Sequence, residues 1–431
     1  MELLRQLTTI WQGVDHPLLI HNETELKFSH LTQERAIDLT KVRRGDVVAL
    51  IGDFDPQSIT TLLRLIDMGV VVVPLSNETK HEHDYFFDTA FVDVIIEHDR
   101  VHRRPHDNTH DLIRWFRTAN KSGLVLFSTG TSGRPKAILH DFTQFLKRFD
   151  TPRPALRTMS FLLFDHIGGL NTLFHTLFNK GVVVTPEERN VDSILDVCER
   201  YKVELLPTTP TFLRTMLFSG AVPNKLPSSL KVITYGTEQM DQSTLGELCR
   251  LCPNIDFRQT YGMSELGIVR VKSKSRNSLF IKIGGEGIET RVVNKVLQIR
   301  SQSRMVGYLN TDSPFDKEGW YDTKDMVEEE GEYFRILGRA DDVITVGGLK
   351  FMSSEVERTI LEAQNVFLAK AYSRKNPVTG QHVELLVQPT PGKQLDKSEL
   401  MSFLKNRLQP HMVPKRIKIG EVSVGHRFKR A

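Results

Sequence analysis

Nine residues in the first third of the chain combine groups that bind phosphate. Residues 128–136 read STGTSGRPK and follow an apolar run, residues 124–127, with the composition of a buried strand. Glycine lets backbone N–H groups turn toward an anion, hydroxyls add donors, and Arg134 and Lys136 supply positive charge. The segment therefore predicts a loop that binds nucleotide phosphates, although Gly/Ser/Thr clusters also form plain surface turns.

The spacing within this loop differs from two common nucleotide motifs. A Walker loop ends in Gly-Lys-Ser/Thr, and a dinucleotide fingerprint requires Gly-x-Gly-x-x-Gly. The segment resembles instead the phosphate loop of the adenylate-forming superfamily, a Ser/Thr/Gly-rich run that ends in Gly-x-Pro-Lys. This resemblance implies an ATP-binding set made of Ser128, Thr129, Gly130, Thr131, Ser132, Gly133 and Lys136.

Three further segments follow in the order that the superfamily has. Residues 260–265 (TYGMSE) resemble its aromatic-Gly-x-Ser/Thr-Glu element, and residues 320–325 (WYDTKD) resemble its Trp-x-x-Thr-Gly-Asp. Residues 338–348 (GRADDVITVGG) resemble its Gly-Arg-x-x-Asp-x-Ile-x-x-x-Gly segment. Because the order of several motifs is more specific than any one, the chain is identified as a member of this superfamily, in the acyl-CoA synthetase branch of acid ligases.

The resemblance implies a role for each of these segments. Glu265 and Thr131 would hold Mg²⁺, which prefers oxygen ligands and keeps several waters. Tyr261 would lie beside adenine, and Asp325 would accept hydrogen bonds from ribose hydroxyls. From the residues alone, Glu265 could equally be a solvated carboxylate at a helix start, and Asp325 a turn residue. The implied nucleotide-binding set outside the loop is Gly236, Thr237, Glu238, Thr260, Tyr261, Gly262, Asp325, Arg339, Gly347 and Gly348.

Two positions depart from the superfamily pattern. Lys324 stands where glycine is usual, so the backbone before Asp325 is expected to differ slightly. The superfamily ends in a Gly-Lys-x-x-Arg motif, whereas Gly425 is followed here by His426. In the register of the succinylbenzoate-CoA ligases, Lys429 is the candidate lysine that bridges the carboxylate and the α-phosphate. The alternative is a frayed basic terminus, in which case adenylation would be weak.

The acid-binding pocket is predicted around residues 164–169 (FDHIGG), which resemble the aromatic-His-x-x-Gly element of CoA ligases. His166 would line the acyl site, or it could be a packing histidine. Amino-acid-activating relatives hold the substrate ammonium with an Asp, and Asp165 is the one hint of such a residue. A plain carboxylic acid, aryl or medium-chain, is therefore favoured as substrate.

The resemblance implies an enzyme with two half-reactions. A carboxylate attacks the α-phosphate of ATP to give an acyl-adenylate and pyrophosphate, and a thiol then displaces AMP. Cations must neutralise the charge that develops in the first step. The expected cofactors are ATP, Mg²⁺ and coenzyme A. Two alternatives remain open: a ligase that loads a phosphopantetheinyl carrier protein in trans, and a nucleotide-binding regulator that has lost turnover.

The composition of the chain limits the kinds of partner and the location that we expect for the protein. The formal net charge is +4, which predicts neither a nucleic-acid partner nor a strong membrane partner. No run of eighteen apolar residues occurs, so no membrane-spanning segment is expected. The three cysteines, Cys198, Cys249 and Cys252, are too few for a disulfide framework and are expected to be buried thiols. A cytoplasmic protein, monomer or homodimer, is expected.

The elements that must position these motifs alternate between strand and helix. Residues 46–75 read strand, helix, strand, and the pattern returns over residues 158–235, which predicts an α/β fold of mainly parallel sheets covered by helices. Residues 278–300 change to short alternating strands, as in a small β-barrel-like subdomain. At 431 residues more than one domain is expected. We predict an N-terminal domain, residues 1–338, and a small mobile α+β C-terminal domain, residues 339–431, with a hinge at 339–342.

Overall fold

The structure is a computed structural model that describes residues 3–33, 37–106, 109–128 and 133–425. Five residues of the predicted site, Thr129, Gly130, Thr131, Ser132 and Lys429, lie outside the described residues. The elements of the first half are α1 (Leu3–Ile10), β1 (Leu19–His21), β2 (Thr24–Leu26), α2 (Phe28–Gln33), β3 (Val47–Ile51), α3 (Pro56–Met68), β4 (Val71–Leu75), α4 (His83–Thr89), β5 (Val94–Glu97), β6 (Arg100–Arg103), α5 (Asp111–Thr118), β7 (Gly123–Phe127), β8 (Ala137–Asp141), α6 (Phe142–Lys147), β9 (Arg157–Met159), α7 (Ile167–Phe178), β10 (Val182–Val184), α8 (Val191–Arg200), β11 (Leu205–Thr208) and α9 (Pro210–Phe218).

The elements of the second half are β12 (Val232–Tyr235), α10 (Gln242–Leu251), β13 (Asp256–Gln259), β14 (Tyr261–Met263), β15 (Gly267–Ser273), β16 (Ile281–Gly284), β17 (Ile288–Val293), β18 (Val296–Ser301), β19 (Gly307–Tyr308), β20 (Tyr321–Glu330), β21 (Tyr333–Arg339), β22 (Val343–Val346), β23 (Leu349–Met352), α11 (Ser353–Leu361), β24 (Val366–Asn376), β25 (Gly380–Pro389), α12 (Lys397–Lys405) and β26 (Arg416–Ile419). Short 3-10 turns cover Asn77–Glu82 and Ala340–Asp342.

Two mainly parallel sheets form the large part of the molecule, as the alternation of strands and helices predicts. One sheet has the order β19-β8-β7-β4-β3-β5-β6, and the other has the order β13-β12-β11-β9-β10-β1-β2. The central strands β3 and β4 are buried along their whole length, which explains their unbroken apolar sequences. The helices α3 and α7 contribute to a shared hydrophobic core with residues of both sheets.

Helix α3 shows how local sequence sets the ends of these elements. Its N-cap, Asp55, accepts a hydrogen bond from the backbone N–H of Ser58, and Pro56 occupies the first turn, where no N–H is needed. The helix ends at Gly69, whose φ of +74° is the left-handed conformation that glycine adopts without a steric cost. This helix, residues 56–68, lies within the strand–helix–strand segment predicted for residues 46–75.

A third sheet is antiparallel and follows the two parallel sheets in the chain. Its order is β14-β15-β16-β21-β20-β18-β17, and it has its own hydrophobic core. The predicted barrel-like subdomain therefore takes the form of a seven-stranded sheet. This sheet carries three of the predicted motifs, at the starts of β14 and β20 and at the end of β21.

The C-terminal part, residues 343–425, packs around a separate core. It contains the β22–β23 hairpin, the sheet β24-β25-β26 and the helices α11 and α12. Cys249 and Cys252 are buried in the large part, as predicted, and burial raises the pKa of Cys252 to about 11. Over the described ranges of the chain, no helix is both long and apolar enough to cross a bilayer.

Candidate active site

The predicted phosphate loop is the connection between the antiparallel strands β7 and β8. Ser128 and Lys136 close its base, since the N–H of Ser128 donates to the carbonyl of Lys136 at 3.0 Å and the N–H of Lys136 donates to Ser128 Oγ at 3.0 Å. Strand β7 is fully buried, whereas Gly133 and Lys136 are exposed. Two buried strands therefore flank this connection, and its described residues Gly133 and Lys136 face solvent.

Residues far along the chain hold the base of this loop. The hydroxyl of Tyr85 donates to the carbonyl of Pro135 at 2.9 Å, and Asn310 Nδ2 donates to the same carbonyl at 3.1 Å. Asn310 Oδ1 accepts from the N–H of Ala137 at 3.0 Å. Sequence reasoning missed Tyr85 and Asn310, because neither belongs to a motif or a periodic pattern.

Glu265 is linked to the phosphate loop through Tyr308. Glu265 follows β14, and its Oε1 accepts a hydrogen bond of 2.8 Å from the hydroxyl of Tyr308. Strand β19, which contains Tyr308, pairs with β8, and Lys136 Nζ lies 5.1 Å from the centre of the Tyr308 ring. Burial and the Glu265 carboxylate raise the pKa of Tyr308, so its hydroxyl remains a donor. The structure thus brings Glu265 and Lys136 to one aromatic side chain.

The motifs that contain Tyr261 and Asp325 meet at a buried hydrogen bond. The Tyr261 hydroxyl donates to Asp325 Oδ2 at 2.5 Å, although the two residues are 64 positions apart. Arg339 Nη1 lies 3.7 Å from Asp325 Oδ1. Burial raises the pKa of Asp325, against the opposing effects of Tyr261 and Arg339. Three residues predicted to bind the nucleoside therefore form one contact group.

Lys324 keeps the backbone conformation that glycine favours. Its φ is +62°, which a side chain adopts only at a steric cost. Its N–H donates to Asp322 Oδ1 at 2.9 Å, and its ammonium group is 2.9 Å from Asp322 Oδ2. Lys324 therefore forms a left-handed turn before Asp325.

Gly236 and Thr260 lie at the carboxyl ends of the adjacent strands β12 and β13. A Cβ at Gly236 would lie 2.2 Å from Thr260 Oγ1, so glycine is required for this approach. Thr237 has a φ of +72°. Glu238 Oε1 accepts a hydrogen bond of 2.8 Å from the N–H of Thr211 in the first turn of α9. The Glu238 carboxylate thus binds a helix start, which sequence reasoning did not predict.

The remaining predicted residues lie at three other places. Gly262 packs closely against β15, since a Cβ there would lie 2.6 Å from the Gly267 carbonyl oxygen. His166 is the buried N-cap of α7, and its Nδ1 accepts from the N–H of Gly168 at 3.1 Å. Gly347 and Gly348 form the exposed turn between β22 and β23, with φ values of +58° and +84°.

The protein side chains near the phosphate loop suit a metal ion whose ligands are mostly phosphate oxygens and waters. Among the described residues no cluster of three or more His, Cys, Asp or Glu could hold a metal ion. Glu265 offers one half-buried carboxylate beside the loop, and Mg²⁺ is commonly bound by one or two carboxylates together with substrate phosphates and waters. The residues present therefore fit Mg²⁺ that arrives with a nucleotide.

The family model described as "AMP-binding enzyme" matches residues 35–296. The 4-coumarate–CoA ligase 4 of Arabidopsis thaliana is 25% identical over 328 residues, which are 68% of this chain and 57% of that protein. The 2-succinylbenzoate–CoA ligase of Bacillus pumilus is 23% identical over 397 residues, 81% of this chain and 80% of that protein. The chain therefore spans a little over half the length of the plant relative.

Solved structures share the fold over the whole chain. The o-succinylbenzoate CoA synthetase of Bacillus subtilis, in complex with its acyl-adenylate intermediate, has a TM-score of 0.80 at 19% identity and covers 100% of this chain and 96% of its own. ATP-bound MatB from Rhodopseudomonas palustris has a TM-score of 0.81 at 19% identity, with 99% and 97% covered. At this identity the similarity extends to the fold alone.

Proposed function

The chain belongs to the AMP-binding enzyme family, and on that premise we propose that it is an ATP-dependent acid–thiol ligase. The substrate carboxylate attacks the α-phosphorus of ATP, the bond to the β-phosphate oxygen breaks, and pyrophosphate leaves. The thiol sulfur of coenzyme A then attacks the acyl carbonyl carbon of the acyl-adenylate. The carbon–oxygen bond to AMP breaks, and AMP leaves while the thiol proton goes to solvent.

The observation that carries this proposal is that motifs distant along the chain meet in two contact groups. Tyr308 joins Glu265 to the base of the phosphate loop, and Tyr261 joins Asp325 at 2.5 Å beside Arg339. In the proposed assignment the loop binds the phosphates, Asp325 binds the ribose and Tyr261 packs beside adenine. When bound, Mg²⁺ would neutralise phosphate charge beside Glu265 and Thr131.

The proposed substrate is a small carboxylic acid, aryl or medium-chain. The names of two relatives support an acid of this kind, since they are ligases of 4-coumarate and 2-succinylbenzoate. His166 would line the acyl site from the start of α7. The same side chain also caps α7, since its Nδ1 accepts a hydrogen bond from the N–H of Gly168.

The domain division completes the proposal. Residues 1–338 would bind ATP and the acid, residues 339–431 would form a mobile lid, and residues 339–342 would be the hinge. In the 3-10 turn Ala340–Asp342 the residues Asp341 and Asp342 are exposed, which supports a pivot there. Gly347 and Gly348 would line the path of the pantetheine arm, and Lys429 would bridge the carboxylate and the α-phosphate.

The test is exchange of labelled pyrophosphate into ATP over a panel of acids, followed by thioester formation with coenzyme A. Acid-dependent exchange and an acyl-CoA product are expected. Exchange without transfer to coenzyme A, but with transfer to a phosphopantetheinyl carrier protein, would replace the proposed acceptor. ATP binding with no exchange for any acid would contradict the proposed enzyme.

A further inference from the structure

Arg148 in the large part has a buried guanidinium for which the described residues offer no hydrogen-bond acceptor. Arg148 caps the C-terminus of α6, and its three guanidinium nitrogens are buried with no hydrogen-bond partner within the described ranges. The guanidinium carbon lies 4.6 Å from the centre of the Phe145 ring. A guanidinium has five N–H donors, and leaving them buried and unpaired is costly.

The guanidinium lies against the turn that carries Glu265. An added Cβ at Gly267 would lie 2.4 Å from Arg148 Nη1 and 2.5 Å from Nη2, so a side chain there would displace the guanidinium from this position. Gly267 is the first residue of β15, and it pairs with Met263 across the turn that contains Glu265. Arg148 is therefore beside a segment that the proposed function assigns to catalysis.

Among the described residues, no acidic side chain offsets the charge of Arg148. One titratable group that senses this charge is His140, whose Nε2 is 2.6 Å from the Ser264 carbonyl oxygen. Burial and the charge of Arg148 lower the pKa of His140 to about 4, so it is neutral near pH 7. Burial, with no compensating acidic neighbour, lowers the pKa of Arg148 itself to about 10. The corner thus holds a cation that lacks an anion.

This corner shares helix α7 with the proposed acyl site. Helix α7, which begins after His166, packs against β15, and Phe174 of α7 contacts Phe145 of α6 with ring centres 5.9 Å apart. Ile268, next to Gly267, packs against the core cluster that includes Ile167 and Leu170. Arg148 consequently lies among α6, α7 and the start of β15, in largely aromatic surroundings.

We propose that Arg148 binds a second carboxylate of the acid substrate, so that the enzyme activates a dicarboxylic acid. This inference rests on the proposed function and narrows its substrate class. A carboxylate matches the fork of a guanidinium and can accept two parallel hydrogen bonds. The triphosphate is a less suitable partner, because the loop cations Arg134 and Lys136 are exposed whereas the Arg148 nitrogens are enclosed.

The test compares diacids with their half-amides, which keep the size and one reacting carboxylate but lack the second charge. Pyrophosphate exchange is measured with straight-chain diacids from succinate to suberate, with phthalate and terephthalate, and with the half-amide of each. For at least one pair we expect kcat/KM to favour the diacid by about 10- to 100-fold, the value of a charged hydrogen bond. In Arg148→Met this ratio should fall to near one.

Arg153→Met is the matched control, since Arg153 is an exposed arginine and its removal changes the net charge equally. It should leave the diacid preference intact. Exchange with monoacids or half-amides at rates equal to all diacids would overturn the inference and leave the proposed function standing. Exchange with no acid would contradict the proposed function itself. If Arg148→Met raised the KM for ATP but left the ratio of kcat/KM for diacid and half-amide unchanged, Arg148 would bind the nucleotide instead, and the inference would be wrong.

Thermal unfolding gives a second readout that does not require turnover. Because an unpaired buried charge destabilises the folded state, Arg148→Met should have a higher Tm than the wild type without ligand. The preferred diacid should raise the Tm of the wild type but not that of the variant. A lower Tm of ligand-free Arg148→Met would mean that Arg148 has a structural partner, and would overturn the inference.

Discussion

Tyr308 contacts two residues of the candidate site with two different parts of its side chain. Its hydroxyl donates to Glu265, and its ring lies beneath the ammonium group of Lys136. The carboxylate and the amine therefore share one rigid support, which separates them and orients both. Orientation of this kind by a buried neighbour is what a preorganised catalytic site requires.

Tyr308→Phe separates these two contacts, because it removes the hydroxyl and keeps the ring. We expect the Mg²⁺ concentration for half-maximal exchange to rise about tenfold, since Glu265 loses a charged hydrogen bond. The KM for ATP should change less, because the ring under Lys136 remains. Tyr201→Phe, at the remote end of α8, is the control. An unaltered Mg²⁺ dependence in Tyr308→Phe would remove Glu265 from the metal site.

The raised pKa of Asp325 makes the affinity for AMP dependent on pH. Burial favours the protonated carboxyl, which accepts hydrogen bonds from ribose less well than the carboxylate does. On acidification, affinity measured by calorimetry should therefore fall at a pH above the ordinary range of an aspartate. Asp325→Asn should bind AMP weakly at every pH, and its affinity should not fall further on acidification. If the affinity of Asp325→Asn fell on acidification as it does in the wild type, the titrating group would be another residue.

At the scale of elements, the approach of β12 to β13 depends on Gly236. Gly236→Ala would force its Cβ to within 2.2 Å of Thr260 Oγ1, so the Thr260 loop must move. We expect the free energy of unfolding to fall by about 1–3 kcal/mol, the usual cost of overpacking a core, and adenylation to become slower. Gly246→Ala is the matched control, because Gly246 lies within α10 and a Cβ added there would meet no atom within 4 Å. This substitution should stabilise the protein by about 1 kcal/mol, since alanine favours a helix more than glycine does. Equal stability of the two variants in urea would contradict the steric argument.

Arg214 of α9 ties the large part to the C-terminal part. Its guanidinium donates to the carbonyl oxygens of Phe367 at 2.5 Å, Val366 at 3.0 Å and Leu361 at 3.2 Å, and it is 4% exposed. These bonds must break if the C-terminal part rotates about the proposed hinge. Arg214 therefore stabilises the arrangement seen here relative to any rotated one.

Arg214→Met leaves three buried carbonyls without their donor. We expect a cost of about 3 kcal/mol in the arrangement seen here, by analogy with breaking a buried ion pair. Amide hydrogen exchange should accelerate around residues 361–367, while β3 and β4 in the large part remain protected. Arg214→Lys should give an intermediate effect. Unchanged exchange at residues 361–367 in Arg214→Met would show that other contacts hold the interface.

At the scale of the whole molecule, the proposal of two half-reactions requires the C-terminal part to move. Asp341→Pro, in the exposed 3-10 turn before β22, should restrict rotation by fixing φ. We expect one half-reaction to slow selectively, with adenylation followed by pyrophosphate exchange and thioester formation followed from added acyl-adenylate. Two half-reactions at wild-type rates would move the hinge away from residues 339–342.

The sequence predicted those elements whose determinants are local. The bounds of β3, α3 and β10 agree with their apolar runs, their caps and their glycine ends. Strand β9 covers only Arg157–Met159, because the chain then leaves the sheet to reach the start of α7. The motifs predicted that Tyr261 and Asp325 bind the nucleoside, and the structure shows that these two side chains share a hydrogen bond.

By itself, then, the sequence determined the family, the alternation of strands and helices, and the residue types available for chemistry, because these are properties of short segments. Only the tertiary structure decided that Tyr308 supports Glu265, that Arg214 joins the two parts, and that Arg148 is buried without an anion. Each of these contacts joins residues that are distant along the chain. No periodicity or spacing encodes such contacts, since they arise when separately formed sheets pack and exclude water from the charges between them.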